Sequence, residues 1–132
     1  MNTLRGLLLA FAMPFALSAA AADAAFDVNL ALARQNLATE EGAAFDREMG
    51  MAMMAIPAAT EAVAACQRAH PGHHELQGYF HFTSATDYRL VLAPQSPFAD
   101  CLARALQGRA VPAPPSLPWF NHFTFRTQGP AP

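Results

Sequence analysis

Apolar positions recur along this chain in two different rhythms. After Thr39, the residues Phe45, Met49, Met53 and Ile56 return at steps of four and three, which lines them up on one face of an α-helix. Thr39 is suited to cap that helix, and Glu40 and Glu41 would sit in its first turn against the positive end of the dipole. Pro57 removes an amide donor and crowds the preceding turn, so the helix breaks or kinks there. Val63 and Cys66 continue the stripe as far as Arg68, and Pro71-Gly72 ends it.

The rhythm then shortens to two. Tyr79 to Thr83 and Tyr88 to Leu92 are rich in aromatic and β-branched residues and are joined by the polar link Ser84-Ala85-Thr86-Asp87, which predicts a hairpin. Phe80 and Phe82 share one face of the first strand, and Tyr88, Leu90 and Leu92 share one face of the second. Ser96-Pro97 is a start signal for another helix, with the hydroxyl as cap and proline in the first turn. Phe98, Cys101, Leu102, Ala105 and Leu106 form its apolar stripe, and Gly108 suits its C-terminal end. Four prolines between Pro112 and Pro118 keep that stretch extended. Trp119 to Arg126 alternates again, with Trp119, Phe123 and Phe125 set against His122, Thr124 and Arg126. Residues 127–132 read as a frayed tail.

Before all this lies a different kind of segment. Arg5 is followed by Gly6 to Ala22 with no charged residue, and Ala22-Asp23-Ala24 fits the A-x-A cleavage pattern. That is the organisation of a secretory signal peptide, with cleavage near Ala24 and no membrane anchor left afterwards. The apolar run is short for a membrane span and contains Pro14. Residues 25–38 then form a lead segment, and 39–126 one domain.

Composition sharpens this picture. Of 132 residues, eight are basic, all of them arginine, and ten are acidic. Removing Arg5 and Asp23 with the leader leaves a weakly acidic chain with no block of either sign, which argues against nucleic acid and anionic membrane surfaces. The absence of lysine and the wealth of Ala, Arg and Pro suggest a GC-rich bacterial source, hence the periplasm or the exterior. Cys66 and Cys101, an even count in an oxidising compartment, read as one disulfide. Each lies on its helix's apolar stripe, so the bond would staple both helices to one side of the sheet.

The elements thus run helix, strand, strand, helix, strand, an α+β fold. Within it, Phe98-Ala99-Asp100-Cys101-Leu102, the pair Ala105-Leu106 and the turn Val111-Pro112-Ala113-Pro114-Pro115 precede a closing aromatic strand. From about Cys66 to Arg126 this resembles the C-terminal domain of TonB energy transducers and the related AgmX-type periplasmic domains. The resemblance implies a three-stranded antiparallel sheet with two helices on one face, the first strand central and the last beside it. The long Pro-rich spacer of a TonB is missing and the hairpin turn differs, so the fold carries over and energy transduction does not.

Two sets of residues invite chemistry. His70, His73 and His74 lie in one loop, with Glu75 beside them, and could meet a zinc or copper ion. Met49, Met51, Met53 and Met54 would add soft ligands, although Met49 and Met53 fall on the core stripe, where methionine fills gaps. On the sheet, His81 and His122 lie opposite the phenylalanines, together with Tyr79, Arg89 and Arg126 on a side expected to be uncovered. Catalysis finds no support: Ser84 and Ser96 lack a nucleophile motif, no carboxylates are paired, and no phosphate loop is present. No cofactor is called for. The expected function is therefore a non-enzymatic protein- or peptide-binding domain, with metal binding at His70 to His74 as the alternative. Its surface would be the free edge of the last strand, with Trp119, Phe120, His122 and Thr124 recruiting a partner strand or a second copy in a weak homodimer.

Overall fold

The computed structural model describes residues 16–128. The segment 1–15, with the n-region and most of the apolar run, and residues 129–132 of the tail lie outside the described residues. The first element is a long helix, α1 (Ala16–Leu37), which runs through the expected cleavage position and takes up the lead segment. A short turn leads into α2 (Glu40–Met54), capped as its sequence predicts: the Thr39 hydroxyl accepts the Gly42 N–H at 3.0 Å. Pro57 does not merely kink this helix. Ile56 adopts an extended backbone, and a separate helix, α3 (Pro57–Ala69), leaves at 81° to α2.

Three strands and one more helix follow: β1 (Glu75–Phe82), β2 (Tyr88–Ala93), α4 (Pro97–Leu106) and β3 (Trp119–Arg126). Ser96 caps α4 by accepting the Ala99 N–H at 3.0 Å, and Gly108 takes the positive φ of 73° that glycine tolerates. The first strand begins four residues earlier than its aromatic run suggests. Leu76 extends its buried face, and Gly78 lies where a Cβ would overlap the Val91 carbonyl. The sheet is antiparallel with order β2-β1-β3, so β1 is central.

Alternation gives the sheet two faces. One carries Leu76, Phe80, Phe82, Tyr88, Leu90, Leu92 and Trp119, buried with Phe45, Met49, Ala59, Cys66, Phe98 and Leu102 from the helices. Phe45 sits edge-on to Phe82 and Trp119, with ring centroids at 5.6 and 6.0 Å, the preferred arrangement for aromatic quadrupoles. The Cys66–Cys101 disulfide joins α3 to α4 across a Cα separation of 5.8 Å, as their stripes predict. Because the first expected helix is two helices, three rather than two lie on this face.

The second face is covered, contrary to expectation. Leu30 and Ala33 of α1 are buried against Tyr79, with Phe26, Val91 and Phe120 packed around them. Polar contacts complete the seam: Asn29 Nδ2 donates to the Tyr79 hydroxyl at 3.2 Å, and Arg34 donates to Gln77 Oε1 at 3.0 Å.

Candidate partner-binding edge

The outward side of β3 follows from its ladder. Thr127 N–H donates to the His74 carbonyl at 2.9 Å, and bonded pairs alternate in an antiparallel ladder. Trp119, Asn121, Phe123 and Phe125 therefore bond to β1, while Phe120, His122, Thr124 and Arg126 turn their backbone groups to the outside. The Phe120 carbonyl confirms this, because it accepts the Asn36 side-chain amide at 2.9 Å.

That bond divides the edge in two. Helices α1 and α2 lie on opposite faces of the sheet, so the chain between them must pass around an edge, and it passes around β3. Asn36 holds Phe120 from one side, and Asp46 accepts the Asn121 amide at 2.9 Å from the other. Gly42 lets the junction close tightly, since a Cβ there would overlap the Asn36 carbonyl. The half from Trp119 to His122 is thereby strapped. Thr124 and Arg126 remain exposed.

Beside this open half lies an apolar groove of about 310 Å³. Phe123 and Phe125 form its floor, and Met53, Met54, Val63 and Leu106 form its walls. Its walls come from both sides of the break at Pro57, where α2 and α3 diverge at 81°. Met54 is 78% exposed at the rim, and its unbranched thioether adapts to differently shaped side chains.

The four residues expected to recruit a partner separate accordingly. Trp119 is only 6% exposed and belongs to the core, so it cannot anchor a partner. Phe120 lies under α1, stacked on His81 with centroids at 4.4 Å and edge-on to Tyr79 at 5.5 Å. His122 is half-buried, and its Nε2 is shielded with no hydrogen-bond partner among the described residues. Burial, followed by the nearby Arg34 charge, holds its pKa below the ordinary 6.5, against an opposing pull from Asp46. Only Thr124 stays in the site. His81 and His122 share a face but are offset, because His122 faces Tyr79 and His81 faces Phe120 in the register.

The histidine loop is not assembled as a metal centre. His74 stacks on Phe98 with centroids at 4.0 Å, and its Nε2 lies 2.7 Å from the His70 carbonyl. Among the described residues, no group of three His, Cys, Asp or Glu side chains could hold one ion. Thr127 ties this loop to the end of β3 through the His74 N–H at 2.7 Å. No family model, curated protein or solved structure matches the chain.

Proposed function

We propose that this is an exported, non-enzymatic binding domain that captures an extended peptide along the open half of β3. The observation that carries the reading is the juxtaposition of the outward Thr124 and Arg126 backbone with the Met-lined groove. An added strand gains main-chain hydrogen bonds from the edge, and alternate side chains fall on the groove side, where apolar ones are favoured. The disulfide fits an oxidising compartment, in keeping with the charge-free leader and a periplasmic destination.

The test is selection of binding peptides from a displayed random library on the disulfide-bonded protein, with the contact mapped by amide chemical shifts. Selected peptides should alternate apolar residues and perturb Thr124, Arg126 and Val63. Thr124→Pro should abolish binding while leaving the fold intact, because the lost N–H points outward and not into the ladder. Val63→Glu should do the same from the groove side. Failure to select any peptide, or a footprint on β2 instead, would refute the reading.

A further inference from the structure

A second surface is independent of the β3 edge. Helix α1 spends Phe26, Leu30 and Ala33 on the sheet, yet its opposite side carries two apolar side chains in line, with the polar Gln35 beside them. Val28 and Leu32, one turn apart, are 60% and 39% exposed, and the exposed Ala24 and Ala31 flank them. Exposed apolar residues in line on a helix gain by being covered. Charge along one flank indicates by what. Asp27 and Arg34 are both exposed and stand two turns apart beside the apolar strip, with opposite signs at its two ends.

We propose that this face pairs with the same face of a second copy, as two antiparallel α1 helices related by a two-fold axis near Leu30 and Ala31. An isologous contact of this kind is self-complementary. Val28 then packs on Leu32 of the other copy, and Leu32 on its Val28. The operator keeps each flank on its own side, so Asp27 meets Arg34 of the second copy, and the reverse pair forms at the other end. Arg34 retains donors for this after bonding Gln77, since a guanidinium carries five N–H groups. A parallel two-fold pairing would put the two charged flanks on opposite sides of the interface, where Asp27 and Arg34 of one copy meet neither charge of the other. Asp27, Val28, Ala31, Leu32 and Arg34 lie beyond the expected cleavage site, so export leaves them in place. An anionic lipid surface is the poorer occupant, because Asp27 borders the strip and such a surface offers it no cation.

Sedimentation equilibrium across a concentration series, on the full chain expressed with its leader and purified with its disulfide formed, tests this. The protein should form a weak, concentration-dependent dimer. Leu32→Glu should render it monomeric without lowering the melting temperature. Asp27→Arg and Arg34→Asp should each raise the dissociation constant by about tenfold, and the double exchange should restore it, which a loss of fold could not do. A monomer at every concentration overturns the proposal, as does a dimer that survives Leu32→Glu or a double exchange that fails to rescue. So does a dimer lost in Thr124→Pro and kept in Leu32→Glu, which would locate the contact on β3. Binding to anionic vesicles that Leu32→Glu removes, without any dimer, would assign the face to membrane.

Discussion

The two faces of the sheet are held by different means. Under α2, α3 and α4 the sheet buries a continuous cluster of aromatic and aliphatic side chains, with Phe82, Phe98 and Leu102 fully enclosed and a disulfide tying two of the helices together. Under α1 the described side chains of the helix bury Leu30 and Ala33, and much of the contact is polar: Asn29 to Tyr79, Arg34 to Gln77, Asn36 to Phe120. Each such bond contributes on the order of 1 kcal/mol net, less than burial of one large apolar side chain at about 1.5–3 kcal/mol. The stapled face therefore carries most of the stability. What the α1 face adds is placement, because its far end bends around β3 and determines which half of the edge stays open.

The largest difference between the faces should come from the staple. Its closed loop has a sequence separation of 35, and Cys66→Ala with Cys101→Ala should lower unfolding free energy by about 2–5 kcal/mol. Urea titration followed by circular dichroism measures this. An unchanged midpoint would mean that packing alone secures that face and would remove the main contrast between the two.

A matched pair of leucines sharpens the comparison through a smaller difference between the two faces. Leu102 and Leu30 are both buried, but Leu102 is enclosed by the main cluster, whereas Leu30 sits beneath a single surface helix that can settle. Leu102→Ala should cost toward the upper end of the usual range of about 2–5 kcal/mol, and Leu30→Ala toward the lower end. Equal costs would show the α1 seam to be as rigid as the stapled core.

The stapled face was legible because its signals are local: the Thr39 and Ser96 caps, the alternation around Phe80 and Phe82, and two cysteines on apolar stripes each state their place within a few residues. The α1 face was not. Phe26, Leu30, Ala33 and Leu37 do carry helical spacing, but they continue from an apolar N-terminal stretch and are flanked by alanines that blur the stripe, so only tertiary contact reveals which side meets the sheet. The candidate edge was half legible for a related reason. Alternation identified β3 and its outward residues, while the strap at Asn36 and the groove beside Phe125 depend on the angle at Pro57, which the residues around the proline do not specify. Trp119 shows the limit most plainly: its position in the alternation makes it an inward residue, and its aromatic character suited an anchor equally well until Phe45 was found against it.

The smallest effect is a pH dependence confined to the α1 face. His122 lies on that side of β3, half-buried, with a shielded Nε2, and burial together with Arg34 holds its pKa below 6.5 in the fold despite the opposing influence of Asp46. The unfolded chain, with an ordinary imidazole, then binds the proton more tightly than the folded one. Between the folded value and about 6.5 the unfolded state holds more protons, so stability rises with pH in that window. His122's contribution is fully present above about pH 6.5 and is lost as the pH falls through the folded value. Titration of the His122 ring protons by NMR should place its midpoint below 6.5, and His122→Asn should flatten the corresponding part of the melting-temperature profile between neutral and mildly acidic pH. A His122 midpoint above 6.5 would show that Asp46 outweighs burial and Arg34. The strap side of β3 would then be stabilised by acid, and the two faces would differ in the opposite sense.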